Sequence, residues 1–215
     1  MTYLELVNSV LRRLRETTVA TYDQNSYSAL IGEFVNDAKR YCEDAWDWSA
    51  LRNTITATTT AGTFSYVLTD GGQRLKVLNV VNDTSNIFVQ YQTATWMTDK
   101  FLNQDPPQSS PRNYSFNGVD ANGDTVVDLY PIPDQEYLVR FNVIQRPGRF
   151  TADSDTLQIP DDPVIQWALA YALRERGETG GQSASEQLVF ARQSLQDAIA
   201  LDAQKHPEET IWTYV

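Results

Sequence analysis

The segment RYCEDAWDWSALR, residues 40–52, collects residue types that could do chemistry. It holds the single cysteine of the chain, Cys42, and three carboxylates at Glu43, Asp44 and Asp47. A thiolate beside carboxylates could serve as a nucleophile with an acid–base partner. Helical periodicity in the preceding residues, however, places Cys42 on an apolar stripe, where a small buried side chain is expected, and places the three carboxylates off it, facing water. We therefore predict the packing end of a helix and no active site.

Three other patterns also fail to predict a catalytic or metal site. The single histidine, His206, lies in a polar tail, away from any predicted pocket. Residues 120–124, DANGD, begin like an EF-hand loop, but Pro131 stands where the closing glutamate belongs, which favours a polar β-turn. GETGG, residues 177–181, lacks the Gly-Lys-Ser/Thr ending of a phosphate loop. None of the 28 acids stands out as a glycosidase pair. We expect no enzyme activity, no cofactor and no metal ion.

Composition and charge exclude further classes of function. The 215 residues carry a net charge of −11, the opposite of the balance found in most nucleic-acid-binding proteins. The acid is concentrated in residues 151–215, with 11 acids and four bases. A lone cysteine excludes an internal disulfide, and neither a signal peptide nor a membrane-spanning run is apparent. The sequence therefore predicts a soluble protein made in a cytoplasm, with no membrane partner.

Two helices open the chain. Thr2 and Glu5 form a capping-box pattern, and apolar residues then follow one helical face. Arg12, Arg13 and Arg15 cluster near the C-terminal end of this first helix, either as a solvated face that suits the helix dipole or as a contact with a partner. Ser26 is the predicted cap of a long second helix that contains Cys42 and Trp46.

Strand patterns follow from residue 53 to about residue 150. Alternating apolar residues and regular turn signals predict about six strands, with a short helix or crossing segment over residues 95–102 and a proline-rich loop over residues 103–113. This spacing favours an antiparallel β-sandwich or small barrel.

Helical patterns return after residue 160. Pro163 after an Asp162 cap predicts a helix start, Gly177 predicts its end, and Ser183 with Glu186 forms a second capping box that opens the last helix. The predicted fold is therefore α+β. Residues 1–52 and 160–203 form a four-helix bundle, residues 53–159 form an inserted β domain, and residues 204–215 form an extended C-terminal tail.

The order of these elements resembles the head-to-tail adaptor proteins of tailed bacteriophages, in particular the tail tubular protein A-like group that docks beneath the portal. The resemblance is carried by TYLELVNSVLRRLRE, LIGEFVNDAKRYCEDAWDWSALR, VVDLYPIPDQEYLVRFNVIQRPGRF and LQIPDDPVIQWALAYALRERGE, which together span most of the chain. The positions that match most directly are Trp46, Trp48, Tyr130, Pro131 and Pro133.

This resemblance implies a structural protein of the virion, at the head–tail junction, synthesised in the host bacterial cytoplasm. It implies a ring of about twelve copies between the portal protein and the tail nozzle or tail tube. The ring would extend the DNA channel, help retain packaged DNA and let genomic DNA pass without sequence-specific binding. The resemblance implies no cofactor and no catalytic residue. The acidic last third could line the channel and repel phosphates, or could serve solubility on an outer surface.

The tail supplies the candidate partner-binding residues. Four of the last five residues are apolar or aromatic, and a charged Pro-Glu-Glu stretch separates them from the last helix. Aromatic residues are favoured anchors at interfaces. We expect this group to dock on a neighbouring copy or on the portal, with folding back onto its own bundle as the alternative; it comprises Ile211, Trp212, Tyr214 and Val215. Arg12, Arg13 and Arg15 are the second candidate set.

A second function class also fits the sequence. A β-sandwich on a helical mount could be a non-enzymatic binding module for cell-surface glycans, with exposed aromatics gathered in one open groove of residues 53–150. An adaptor would instead carry its exposed aromatics in the tail and at subunit edges.

Overall fold

The computed structural model describes residues 1–102, 105–177 and 184–205, and the chain divides into two compact units. The helical unit comprises Met1–Leu51 and the chain from Gly148 onward, and the β unit comprises Arg52–Pro147. The described residues contain five α-helices and seven strands, which confirms the predicted α+β class. Among them, no helix is both long and apolar enough to span a bilayer.

Four of the five described helices belong to the helical unit. The exception lies in the β unit, where the sequence predicted either a short helix or a crossing segment over residues 95–102 and the structure has a helix. In chain order the helices are α1 (Tyr3–Arg13), α2 (Ser26–Ala45), α3 (Ala94–Phe101), α4 (Asp161–Arg176) and α5 (Ala184–Ala203).

The start of α1 follows the predicted pattern, whereas the start of α2 does not. The N–H of Glu5 donates to Thr2 Oγ1 at 3.3 Å, and the N–H of Thr2 donates to Glu5 Oε2 at 2.8 Å, so the capping box is confirmed. In α2 the cap is Asn25 and not Ser26, because Asn25 Oδ1 accepts the N–H of Ser28 at 2.8 Å.

The α4 helix begins earlier than predicted. It starts at Asp161 after Pro160, which provides no side-chain cap, so the prediction of an Asp162 cap with Pro163 as the first helical residue is wrong. The extended backbone of Pro160 already sets the entry to the helix. Gly177 ends α4 in the left-handed conformation at φ 64°, as predicted. Ser183 lies outside the described residues.

The helices of this unit pack around α4. Extensive contacts join α1 with α2, α1 with α4, α2 with α4, and α4 with α5. Their apolar faces meet through side chains such as Leu6, Val35 and Ala168, all fully buried. The α5 helix is shifted along α4, since Gln187 Nε2 donates to Gln166 Oε1 at 2.6 Å while Asp202, near the end of α5, reaches Ser49. The predicted four-helix bundle is therefore not confirmed.

The β unit contains one mixed seven-stranded sheet. Its order is β1-β7-β3-β4-β5-β6-β2, and every pair is antiparallel except β4 with β5. The strands are β1 (Arg52–Thr58), β2 (Ser65–Val67), β3 (Leu75–Asn82), β4 (Ile87–Tyr91), β5 (Asn113–Val119), β6 (Thr125–Tyr130) and β7 (Leu138–Gln145).

The parallel pair corrects the prediction of a wholly antiparallel domain. Gln90 pairs with Asn113 and Tyr91 pairs with Tyr114 in the parallel sense. A parallel neighbour needs a connection of a dozen or more residues, and residues 92–112, which include α3, provide it. The sheet also curls: the ring of Tyr114 on β5 lies 5.9 Å from that of Phe141 on β7, although β3 and β4 separate these strands in the sheet order. The core is enclosed by this curled face.

Candidate docking surface

The segment of residues 40–52 is buried structure and not a reactive site. Cys42 is fully buried, and burial, with a smaller effect from the charge of Glu43, raises the pKa of its thiol to about 12. A thiol with that pKa is almost wholly protonated at neutral pH, so it is a weak nucleophile. The prediction that Cys42 packs as a small apolar side chain is confirmed.

Glu43 departs from the sequence prediction. Its side chain is 1% exposed and does not face water, although Asp44 is exposed. Lys39, one turn earlier, is equally buried, and its Nζ lies 2.8 Å from Glu43 Oε1. The same Nζ donates to the carbonyl of Gly148 at 2.7 Å. The segment that begins at Gly148 thus covers a polar edge of α2. The periodicity of α2 alone predicts that this edge is exposed to solvent.

The two tryptophans after Cys42 close the end of α2. The Nε1–H of Trp48 donates to the carbonyl of Cys42 at 2.8 Å, and the ring of Trp48 is 1% exposed. This bond satisfies one of the carbonyls that a helix C-terminus leaves without an internal partner. The predicted packing end of the helix is confirmed.

Asp202, near the end of α5, binds the segment that follows α2. Its carboxylate accepts the N–H of Ser49 at 2.8 Å, the hydroxyl of Ser49 at 2.5 Å and the Nε1–H of Trp46 at 3.3 Å, and Lys205 Nζ lies 3.4 Å away. Burial by itself would raise the pKa of Asp202, but the hydrogen bonds from Ser49 and the charge of Lys205 outweigh it and lower that pKa.

Sequence reasoning missed Asp202, although a signal for it exists. It lies four residues after Ala198 and seven after Leu195, which places it on the buried stripe of α5. A carboxylate at such a position needs hydrogen-bond partners, and the 46–49 segment supplies them.

A cleft of about 940 Å³ opens beside this network. Side chains within residues 190–205 of α5 and its end, residues 158–166 at the start of α4, and Trp48 with Ala50 form its walls, and we call it the α4–α5 cleft. Two apolar side chains line it while exposed to solvent, Phe190 at 53% and Leu201 at 65%. Four acids, Asp161, Asp162, Asp197 and Asp202, also line the cleft. Exposed apolar side chains rimmed by charge are typical of docking surfaces.

The arginines near the end of α1 lie elsewhere on the helical unit. Arg12, Arg13 and Arg15 are all exposed, and Arg15 adopts a positive φ of 60° where the helix has ended. Glu16, the next residue, pairs with Arg176 on α4 at 2.6 Å. The cluster therefore lies at the C-terminal end of α4, and we call it the arginine end.

The other candidate residues lie in the tail. Ile211, Trp212, Tyr214 and Val215 fall outside the described residues, as does His206, so the docking role of the tail stays a prediction.

The β unit offers no catalytic geometry at the loop that resembles a calcium site. Asp120 Oδ1 accepts the N–H of Asn122 at 2.9 Å and that of Asp124 at 2.8 Å, so the predicted polar turn is confirmed. Asp124 in turn accepts the N–H of Gly72 at 2.9 Å, which joins this turn to the one before β3. In the part of the chain that the structure describes, no group of three or more His, Cys, Asp or Glu side chains could hold a metal ion.

Three of the four exposed aromatics among the described residues of the β unit lie on β4 and β5, and the fourth, Phe64, precedes β2. Phe88 is 72% exposed, Tyr91 is 55% exposed, and the Tyr91 and Phe116 rings lie 6.0 Å apart. A separate cavity of about 350 Å³ is lined by Arg52, Asn53, Thr54, Leu78, Asn79, Asn142 and Val143, with no aromatic side chain among them.

Comparison with known proteins identifies a family for this chain. A family model described as SU10 adaptor protein matches residues 1–210, which is nearly the whole chain. No curated protein matches the sequence.

Proposed function

The chain belongs to the SU10 adaptor protein family, a family of phage head-to-tail adaptors, and from this premise we propose that it forms a ring between the portal and the tail nozzle. Membership confirms the resemblance drawn from the sequence and makes the protein a structural component of a bacteriophage virion. The match over residues 1–210 is the observation that carries the proposal, because it includes both the helical and the β unit.

In this proposal the ring continues the DNA channel of the portal and helps keep packaged DNA inside the head. About twelve copies assemble on the portal after synthesis in the host bacterial cytoplasm, and each also contacts the nozzle or tail tube. The net charge of −11 supports passage of DNA without sequence-specific binding, because acidic walls repel phosphates and let a duplex slide.

The C-terminal tail is the proposed anchor of the ring. Ile211, Trp212, Tyr214 and Val215 follow the charged stretch 207–209 and combine apolar area with the aromatic residues that interfaces favour. We expect deletion of residues 207–215 to abolish portal binding. A matched control replaces Glu208 and Glu209 by glutamine, which keeps the anchor residues. Normal ring formation and portal binding by the deletion variant would contradict this role of the tail.

Native mass spectrometry of the full chain, alone and mixed with the portal ring of the same genome, tests the proposed function. The expected result is a portal complex that carries a whole ring of added copies. A chain that stays monomeric well above micromolar concentration and adds no copies to the portal would overturn the proposal. A glycan array would then test the alternative of a binding module for cell-surface glycans.

A further inference from the structure

The two charged surfaces of the helical unit carry opposite signs. The α4–α5 cleft presents Asp161, Asp162, Asp197 and the paired Asp202, and among the described residues that line it Lys205 is the one cation. The arginine end presents Arg12, Arg13 and Arg15. Near it, Glu16 is paired with Arg176, and the last turn of α4 adds one exposed base, Arg174, and one exposed acid, Glu175, so the three arginines leave this end with positive charge.

These two surfaces lie at opposite ends of α4. Asp161 and Asp162 occupy the first turn of that helix, whereas Arg176, which pairs with Glu16 next to Arg15, is its last residue. Sixteen residues at 1.5 Å each separate the ends by about 24 Å. One helical unit therefore cannot bring its own arginines to its own cleft.

We propose that the arginine end of one copy docks in the α4–α5 cleft of a neighbouring copy. This inference rests on the proposed ring and names the two surfaces that would join its subunits. The contact is heterologous, because it pairs two different patches, and a heterologous contact repeated around an axis closes into a ring when the rotation allows it.

Arginine suits this cleft chemically. A planar guanidinium can form paired hydrogen bonds with the carboxylates of Asp162 and Asp197, which are both exposed. The aliphatic part of an arginine side chain can cover apolar surface, and its guanidinium can stack on the ring of Phe190. Charge, apolar area and an exposed aromatic ring in the cleft thus all match the chemistry of one kind of side chain.

Charge reversal and charge exchange test the inference in the full chain. R12E/R13E places acid opposite acid, and D162K/D197K places base opposite base. For each variant we expect the apparent dissociation constant between copies, measured by sedimentation velocity and native mass spectrometry, to rise by at least about tenfold. In an equimolar mixture of the two variants, an alternating ring pairs acid with base at every junction, so we expect rings to form again. The chain that carries all four substitutions also pairs acid with base at every junction, and we expect it to form rings on its own.

Control variants reverse one charge of the same sign elsewhere. Arg192 is exposed on the side of α5 turned away from Phe190 and Leu201, and Asp99 is exposed in the β unit. R192E and D99K should assemble like the wild type. Circular dichroism and the urea midpoint of every variant verify folding, because D162K also loses a favourable charge at the start of α4.

The outcomes separate this inference from the proposed function. A wild-type chain that forms no ring, alone or on the portal, refutes the proposed function. Rings that persist in R12E/R13E or in D162K/D197K overturn the inference while the ring itself stands. Failure of the four-substitution chain to recover assembly also overturns it, and directs attention to a basic segment of the portal or to residues 206–215 as the occupant of the cleft.

Discussion

Replacing Glu43 by glutamine removes the charged partner of Lys39 inside the helical unit, and we expect the free energy of unfolding to fall by about 3 kcal/mol. Both side chains are nearly inaccessible, at 2% for Lys39 and 1% for Glu43, and their charged atoms lie 2.8 Å apart. Breaking such a pair from one side leaves a buried charge without its partner, which typically costs about 3–5 kcal/mol.

The decrease in the free energy of unfolding depends on the side chain that replaces the Glu43 carboxylate. Glutamine keeps the shape of Glu43 and one oxygen that can accept from Lys39, so the lower end of the range applies. Leucine offers Lys39 no acceptor at position 43, so E43L should lose about 5 kcal/mol. In the double variant K39M/E43L no charge remains, and the main loss is the hydrogen bond to the Gly148 carbonyl, which leaves a cost of about 1–3 kcal/mol.

Urea unfolding monitored by tryptophan fluorescence and by circular dichroism measures these differences, provided the slope against urea stays constant. The matched control is the pair of Arg149 with Glu33, whose side chains are 52% and 63% exposed. Because solvent screens that pair, E33Q should cost less than about 1 kcal/mol. If E43Q costs no more than E33Q, or if K39M/E43L is less stable than E43L, the reasoning from burial is refuted.

Three further predictions concern other buried groups. D202N should lower stability by about 1.5–3 kcal/mol at pH 7, because Ser49 then donates to a neutral group. Since the pKa of Asp202 is lowered from its ordinary value of 3.8, the wild-type advantage holds above about pH 4 and shrinks as pH falls further, which urea titrations at several pH values will show. Cys42, with a thiol pKa of about 12, should stay unlabelled by a thiol reagent at pH 8 until urea unfolds the chain; equal labelling rates in both states would contradict its burial. G32A should destabilise by about 1–3 kcal/mol although alanine favours helices, because a Cβ there meets the Tyr3 hydroxyl; a rise in the thermal midpoint would contradict this contact.

Local patterns predicted the features that depend on neighbouring residues. The capping box of Thr2 and Glu5 and the glycine end of α4 at Gly177 need only a few consecutive residues, so their sequence signals were sufficient. The alternation in the β unit likewise predicted its strands.

Features that depend on distant segments were not accessible to the same reasoning. The parallel pairing of β4 with β5 follows from the path of residues 92–112, which no alternation pattern encodes. The burial of Glu43 follows from Gly148, which is more than a hundred residues away, and that of Asp202 follows from Ser49. The α4–α5 cleft has the same origin, because three separate segments form its walls.

The residues whose types could support catalysis are buried and contribute to packing instead. Cys42, Glu43 and Asp202 are held by fixed hydrogen bonds or burial, so they position α2 and α5 rather than meet a substrate. A rigid mount of this kind suits an adaptor, because ordered surfaces lose little conformational entropy on docking. The side chains that can contact partners are then exposed ones, such as Phe190 and Arg13. Their role in binding depends on the end of the helical unit at which each lies.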